Sequence, residues 1–238
     1  MISDKTTLAI IPARAGSKRL PRKNILPLAG KPLICWTVES ALAARGIDQL
    51  VVSTDDAEVV RAVAPYQSVV CLERPADLAT DTANSMDVLF QVLDTLEHNG
   101  QEYDRVIWLQ ATSPLRQAID IEAALSLYDE KQAKAVVSVT TCEHSPLWSN
   151  TLPDNGSMSQ FIRPEVLGLR SQDLPEYYRL NGALYIADVQ LLKQHRTFFQ
   201  IPGCYAYIMS ALNSVDIDQQ LDFDFAQFLI EKNQKGHV

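Results

Sequence analysis

A cluster of positive charge follows the first apolar run of the sequence. Although the chain as a whole carries a net charge of −8, five basic residues lie within ten positions here: Arg14, Lys18, Arg19, Arg22 and Lys23. Gly16 and Ser17 lie among them, and their backbone N–H groups can donate to phosphate oxygens while the basic side chains neutralise negative charge. This combination predicts a phosphate-binding loop, the alternative being a solvated basic loop without a ligand.

The loop matches neither of two common phosphate-binding motifs. A P-loop needs two glycines separated by four residues and followed by Lys and then Ser or Thr, and the dinucleotide fingerprint needs G-x-G-x-x-G. Gly16 is the only glycine in this loop, and Lys18 is followed by Arg19 and Leu20. The charge pattern therefore predicts an anion pocket of another kind.

Two acidic residues near the end of the chain form a second candidate site. Asp216 and Asp218 lie two positions apart in SVDID, and in an extended segment both carboxylates would face the same side. Such a pair suits Mg²⁺ (or Mn²⁺) held jointly with substrate phosphates and water. Taken alone, a D-x-D pair is weak evidence, because acidic loop residues are usually only solvated. The phosphate-binding loop elsewhere in the chain makes the pair a good metal candidate.

The elements that would position these residues alternate along the chain. Short apolar runs predict strands at TTLAII, QLVVST, SVVCL, DRVIWLQ and AKAVVSVT, with helical patterns between them. This order predicts an α/β fold with a doubly wound, mostly parallel, Rossmann-like sheet. Ligands bind beyond the carboxyl ends of the strands in such sheets, and three polar motifs follow strands there. They are the basic loop, STDD and LQATSPLR.

The alternation of strands and helices fails between about Thr141 and Leu180. This stretch is rich in turn residues and short apolar patches, and a structureless loop of that length is unusual inside a compact domain. It predicts a core formed by residues 1–140 and 181–238 with an insertion at 141–180. The insertion would be a lid or an arm that packs on something else, such as a second subunit.

Composition excludes several classes of function. The net charge of −8 argues against a protein that coats nucleic acid. The N-terminal apolar run is broken by Pro12, so no signal peptide is expected, and no run approaches the roughly 20 apolar residues that span a bilayer. The four cysteines lie far apart without zinc or disulfide spacing. A cytoplasmic protein without a membrane partner is therefore expected.

The basic loop, IIPARAGSKRLPRKN, and seven further motifs together resemble the acylneuraminate cytidylyltransferases, the enzymes that make CMP-sialic acid. The resemblance covers nearly the whole chain, in order, through GKPLICWTVESAL, VVSTDD, ERPADLATDTANS, LQATSPLR, SVT…EHSPLW, YRLNGALYI and SVDIDQQLDF. The family commonly has Gly where Ala15 and Arg19 stand, and Pro where Ala111 stands. The resemblance implies the nucleotidyltransferase form of the fold, a homodimer, and transfer of CMP from CTP to an N-acylneuraminate. In that reaction the anomeric hydroxyl attacks the α-phosphate and diphosphate leaves.

The resemblance also implies roles for individual residues around the nucleotide. In the family the first loop holds the triphosphate of CTP, and Asn24 would lie near the reacting centre. Ser85 would contact the nucleotide from a helix N-terminus, which favours anions. The implied nucleotide-binding residues are Arg14, Gly16, Ser17, Lys18, Lys23, Asn24, Arg74 and Ser85. The implied catalytic residues are Arg14, Lys23, Asp216 and Asp218, the last two as metal ligands.

The implied sugar site draws on motifs from the second half of the chain. Its residues are Gln110, Thr112, Arg179, Asn181, Tyr185, Phe198 and Phe199. Amide and hydroxyl groups suit a polyhydroxylated, N-acylated sugar, and an Arg suits the carboxylate of the sugar acid. The two phenylalanines would pack against the acyl group, although core packing is equally compatible. On its own, Asn181-Gly182 would also fit a hairpin turn.

Other functions fit parts of the same pattern. A cytidylyltransferase for legionaminate, pseudaminate or 3-deoxy-octulosonate would share the fold. A nucleotide-binding regulator would keep the fold without catalysis, but the joint presence of Arg14, Lys23, Asp216 and Asp218 argues against it. The sequence leaves the choice among nine-carbon acids open, because pocket shape reads their differing substituents.

Overall fold

A computed structural model describes residues 5–235. Residues 1–4, at the start of the stretch considered as a signal peptide, lie outside the described residues, and so do both outer ends of the proposed core, residues 1–4 and 236–238. Within this part, nine strands are present: β1 (Thr7–Pro12), β2 (Pro27–Leu28), β3 (Lys31–Pro32), β4 (Gln49–Thr54), β5 (Val69–Glu73), β6 (Arg105–Leu109), β7 (Ala135–Thr141), β8 (Tyr178–Asp188) and β9 (Cys204–Ile208). The α-helices are α1 (Leu33–Ala43), α2 (Ala57–Val63), α3 (Ser85–His98), α4 (Ala118–Glu130), α5 (Val189–His195) and α6 (Gln220–Lys235). No helix among the described residues is long and apolar enough to cross a membrane.

Seven strands form one sheet in the order β5-β4-β1-β6-β8-β7-β9. Strand β8 runs antiparallel to both of its neighbours, and the other neighbouring pairs are parallel. Strands β2 and β3 form a separate two-stranded ribbon. The predicted mostly parallel, doubly wound sheet is therefore confirmed.

Helices cover both faces of this sheet. Ala9 and Ile11 of β1 point to one face and pack in a cluster with residues of α1, α2 and α4. Leu8 and Ile10 point to the other face and pack with residues of α3 and α5. Successive side chains of a strand face opposite sides, so a strand buried on both sides reads as a continuous apolar run. This is why the strand was recognisable in the sequence.

The C-terminal helix packs against the basic loop. Phe223 and Ile230 of α6 belong to a third buried cluster that also contains Leu20 and Ile217. Burial of these side chains fixes the segment before α6 against the loop that follows β1, because buried apolar surface is costly to expose. Asp218, next to Ile217 in the chain, is thereby brought beside the basic loop.

Strand β8 runs unbroken through Asn181-Gly182, so the alternative interpretation of this pair as a hairpin turn is wrong. Gly182 has φ of +72°, and the pairing register between β7 and β8 shifts at this point, as in a bulge. Asn181 is buried and accepts a hydrogen bond from Ser138 Oγ at 2.6 Å, while its Nδ2 donates to Ser214 Oγ at 2.9 Å. These tertiary hydrogen bonds hold the pair inside the sheet.

Residues 142–177 contain no strand or α-helix and only three one-turn 3-10 helices: Pro146–Trp148, Pro164–Val166 and Ser171–Asp173. The two ends of the proposed insertion, Thr141 and 178–180, belong to β7 and β8 of the main sheet. Several of its apolar side chains are exposed, among them Leu152, Met158, Leu167 and Leu169. Its division from the core and its role as an arm or lid remain predictions.

Candidate active site

A cavity of about 510 Å³ opens at the carboxyl ends of β1 and β6. Its walls come from the basic loop, the segment between β5 and α3, the loop after β6 and the segment before α6. Seven of the eight predicted nucleotide-binding residues line it: Arg14, Ser17, Lys18, Lys23, Asn24, Arg74 and Ser85. The eighth, Gly16, lies in the same loop. The structure therefore brings these residues together, and contact with a nucleotide stays a prediction.

Hydrogen bonds to the end of β4 hold the basic loop in place. The backbone N–H of Ala13 donates to the Ser53 carbonyl at 2.9 Å, and that of Ala15 donates to the Asp55 carboxylate at 2.9 Å. Asn24 is buried, and its Nδ2 donates to the Arg14 carbonyl at 3.0 Å. Asn24 therefore braces the loop from within, whatever contact it makes with a ligand.

Two cations of the loop share one carboxylate. Arg14 Nη1 and Lys18 Nζ each lie 2.5 Å from an oxygen of Asp81, which belongs to the segment between β5 and α3. Lys18 and then Arg14 hold the pKa of the Asp81 carboxyl below its usual range. Sequence reasoning missed Asp81, because nothing near it in the chain indicates that it faces a loop 67 positions away.

The other two loop cations that line the cavity, Arg19 and Lys23, lie beside Asp218. Arg19 Nη1 lies 2.7 Å from Asp218 Oδ2, and Lys23 Nζ lies 3.3 Å from Oδ1 of the same carboxylate. Lys23 also donates a short hydrogen bond to the Ile217 carbonyl, and its side chain is only 11% exposed. Lys23 is thus a nearly buried cation in a fixed position, whereas the Arg19 side chain lies in solvent.

Arg74 and the start of α3 add further positive potential. Arg74 is 5% exposed, and its side-chain hydrogen bonds among the described residues both go to Ser53. Burial lowers the pKa of this guanidinium, and the nearby Asp55 acts in the opposite direction. Helix α3 begins at Ser85, with Asn84 accepting from the Met86 N–H at 2.9 Å as its N-cap. The N-terminus of a helix favours anions, and Ser85 places this one at the cavity.

The two candidate metal ligands lie at different depths. Asp218 lines the cavity, whereas Asp216 is more buried and Thr112 donates to it. Residues 215–219 belong to no strand of the sheet. Burial raises the pKa of the Asp216 carboxyl, the Thr112 hydrogen bond opposes this shift, and the negative charge of Asp218 adds to it.

These two carboxylates fit a divalent cation. Asp216 Oδ1 is buried and accepts no hydrogen bond from the described residues. An unsatisfied buried oxygen is costly, and a cation between two close carboxylates would relieve both its desolvation and their repulsion. No third Asp, Glu, His or Cys completes a metal-binding group within residues 5–235. The remaining ligands would therefore have to be phosphate and water oxygens, as Mg²⁺ commonly uses.

The predicted sugar residues are divided between the cavity and its surroundings. Gln110 and Thr112 line the cavity, and Gln110 packs on Gly182, where an added Cβ would lie 3.2 Å from Gln110 Oε1. Outside the lining lie the other five: Arg179, Asn181, Tyr185, Phe198 and Phe199. Arg179 pairs with Glu143 at 2.6 Å, so its charge is already engaged.

The aromatic residues near the sugar motifs pack on one another. The Tyr185 ring lies 5.4 Å from that of Phe198 and 5.7 Å from that of Phe199, measured between centroids. Phe198 is buried in the core cluster, and Phe199 is half exposed. Core packing, the alternative raised for the phenylalanines, therefore applies to Phe198, and Phe199 keeps an exposed face.

Comparison with known proteins places this chain in one family. A family model described as cytidylyltransferase matches residues 8–235. A CMP-N,N'-diacetyllegionaminic acid synthase from Legionella pneumophila is 35% identical over 237 residues, which cover 97% of this chain and 99% of the relative. An N-acylneuraminate cytidylyltransferase from Streptococcus agalactiae is 37% identical over 218 residues, which cover 91% of this chain but only 51% of that longer relative.

A solved structure agrees with the fold. The structure of a CMP:2-keto-3-deoxy-manno-octonic acid synthetase complexed with CTP superimposes with a TM-score of 0.71 at 20% identity. The match covers 96% of this chain and 99% of the other. At this identity the likeness concerns the fold, which is the nucleotidyltransferase form of the doubly wound sheet that the sequence predicted.

Proposed function

Because this chain belongs to the cytidylyltransferase family and is a nucleotidyltransferase, we propose that it transfers CMP from CTP to a sialic acid-type, nine-carbon 2-keto sugar acid. N-acylneuraminate is the first candidate acceptor. The observation that carries the proposal is the cavity, in which four cations of one loop and the buried Arg74 lie with the carboxylates of Asp81 and Asp218. In the proposed reaction the anomeric hydroxyl attacks the α-phosphate, and diphosphate leaves.

The cations are suited to the charge that this reaction develops. Phosphoryl transfer spreads negative charge over the phosphate oxygens, and fixed cations stabilise it without reorganising during the step. Lys23 is nearly buried and its charge acts on both Asp216 and Asp218, so we assign it to the reacting phosphate. Arg14 and Lys18, on the side of Asp81, are assigned to the leaving diphosphate.

A divalent metal ion belongs to this proposal. When bound, Mg²⁺ would neutralise charge on the phosphates of CTP. Asp216 and Asp218 are the residues that would hold it, since one offers a buried carboxylate oxygen without a hydrogen-bond partner among residues 5–235 and the other lines the cavity. In this structure Lys23 and Arg19 pair with Asp218, and Thr112 forms a hydrogen bond with Asp216.

A specific observation favours a second acceptor. The Legionella relative named for N,N'-diacetyllegionaminic acid matches this chain over nearly its full length, whereas the streptococcal relative is about twice as long as the matched segment. Both acids carry a carboxylate and acylamino groups, for which Gln110, Thr112 and Arg179 are suitable partners. For Arg179 to bind the carboxylate, it would have to leave Glu143.

The acceptor is tested by measuring diphosphate release with CTP and each sugar acid in turn. We expect release with N-acetylneuraminate or N,N'-diacetyllegionaminate, and lower turnover with pseudaminate and with the eight-carbon 3-deoxy-octulosonate. The same assay with ATP in place of CTP serves as the control for the nucleotide. Binding of CTP without turnover of any acid would support the non-catalytic regulator instead.

We also propose that the insertion at 141–180 docks on a second copy of the chain. Exposed apolar side chains such as Leu167 and Leu169 are the argument, because contiguous apolar surface of this kind marks interaction sites. Light scattering should give about twice the chain mass of 26.5 kDa. Leu167→Glu should weaken the dimer, whereas Leu212→Glu, at an exposed leucine outside the insertion, should not. A single-chain mass at micromolar concentration would contradict the proposal.

A further inference from the structure

Asp81 is one of two carboxylates, with Asp218, in a cavity that five cationic side chains also line. Its Oδ1 lies 2.5 Å from Arg14 Nη1, and its Oδ2 lies 2.5 Å from Lys18 Nζ, so both oxygens are engaged. Two oxygens of one phosphate group would use the same donors in the same way. Asp81 therefore occupies the positions at which we place the diphosphate part of CTP.

These ion pairs contribute little to holding the fold together. The side chains of Arg14 and Asp81 are 32% and 35% exposed, and that of Lys18 is 78% exposed. Ion pairs this accessible to water stabilise a protein only weakly. They do join two walls of the cavity, since Asp81 lies between β5 and α3 and its partners lie in the basic loop.

We propose that Asp81 is an internal counter-ion of the phosphate site, and that it lowers the affinity of the enzyme for CTP and for diphosphate. The proposal rests on the proposed function, in which Arg14 and Lys18 hold the leaving group. An incoming triphosphate either displaces Asp81 from both cations or binds with a like charge beside it. Both possibilities cost binding free energy, because a carboxylate and a phosphate repel each other and compete for the same donors.

The consequence for the reaction is faster product release. Diphosphate carries several negative charges, and four cations of the loop together with Arg74 would otherwise retain it. As diphosphate leaves, Asp81 can pair again with Arg14 and Lys18. These two cations then regain an ionic partner and do not have to be left with water as their only partner. Asp81 therefore lowers the affinity for the nucleotide and speeds the release of diphosphate.

A positioning role for Asp81 predicts the opposite sign. If the carboxylate served to hold Arg14 and Lys18 in the geometry that CTP needs, removing it would loosen both side chains and weaken binding. The two roles are therefore separated by the direction in which affinity changes. The chain offers a matched control in Asp77, an exposed residue of the same segment that takes no part in the ion pairs of Arg14 and Lys18.

The test is a calorimetric titration of wild type, Asp81→Asn and Asp77→Asn with CTP and with inorganic diphosphate, both in excess magnesium. We expect Asp81→Asn to bind both ligands about fivefold more tightly. An effect of this size is expected when two weak, partly exposed ion pairs no longer compete with the ligand. Asp77→Asn should bind like the wild type, and Asp81→Glu should return affinity towards the wild-type value. In turnover, Asp81→Asn should show a lower KM for CTP and stronger inhibition by diphosphate.

Equal or weaker binding by Asp81→Asn would overturn the proposal in favour of a positioning role or no role. Equal tightening in Asp77→Asn would also overturn it, because the effect would then be one of net charge alone. A wild type that binds neither CTP nor diphosphate would instead refute the proposed function, on which the counter-ion role depends.

Discussion

Lys23→Ala is expected to lower turnover by about 10²–10³-fold, the usual cost of removing one preorganised donor from a charge-developing site. Lys23 is 11% exposed, donates to the Ile217 carbonyl and lies 3.3 Å from Asp218. Its ammonium group therefore occupies one position, close to the carboxylates that would hold the metal. The loss should appear mainly in kcat, because the proposed contact strengthens as charge develops on the phosphate.

The neighbouring Arg22 supplies the control for Lys23. Arg22 belongs to the same loop but does not line the cavity, and it pairs with Glu58 outside it. Its φ is +57°, a left-handed conformation that Asn tolerates, so Arg22→Asn removes the charge with little backbone strain. We expect Arg22→Asn to keep most of the wild-type turnover, and both variants to keep the wild-type circular dichroism spectrum. Wild-type activity of Lys23→Ala at limiting CTP would exclude Lys23 from the mechanism.

Asp218→Asn and Asp216→Asn are expected to weaken the response of the enzyme to magnesium and to lower turnover by about two orders of magnitude, the scale of losing a fixed charge at a phosphoryl-transfer site. The two carboxylates would act as one unit, so the double variant should be little worse than the poorer single variant. The wild type should gain thermal stability from Mg²⁺ and CTP together beyond what either gives alone, because only the ternary complex completes the coordination shell.

The metal prediction is measured by magnesium titrations of diphosphate release and, independently of activity, of thermal stability in the presence of CTP. Asp224→Asn is the matched control, since Asp224 accepts from Gln220 Nε2 within α6 and does not line the cavity. Its magnesium dependence should equal that of the wild type. Metal-independent turnover in the wild type, or an unchanged magnesium response in both Asp216→Asn and Asp218→Asn, would show that the pair is only an acidic loop.

The sheet could be predicted from the sequence because its signals are local. Strands such as β1 and β6 are buried on both faces and therefore appear as apolar runs. The path of β8 could not be predicted in this way. Asn181-Gly182 has the local sequence of a turn, but the hydrogen bond that Asn181 accepts from Ser138 and the one that it donates to Ser214 hold it within a strand. Tertiary contacts thus overrode the local preference.

In the candidate site, too, local signals could be predicted from the sequence and distant contacts could not. The basic loop was recognisable because its charges lie close together in the chain, and they lie together in the cavity. The carboxylates that pair with them could not be assigned, since Asp81 lies 67 positions from Arg14 and Asp218 lies 199 positions from Arg19. Arg179 was expected to be available to a sugar carboxylate, and its pairing with Glu143 depends on a contact the sequence does not signal.

The proposed direction of attack is tested most directly with an acceptor acid labelled with oxygen-18 at its anomeric hydroxyl, using whichever acid supports turnover with CTP. Attack by that hydroxyl on the α-phosphate predicts a CMP–sugar whose bridging oxygen carries the label, visible as an isotope shift of its phosphorus NMR signal, together with unlabelled diphosphate. Loss of the label from the CMP–sugar, while the unreacted acid in the same sample keeps it, would mean that the bond from the anomeric carbon to oxygen had broken instead. That result, or the absence of any CMP–sugar, would contradict cytidylyl transfer at this site.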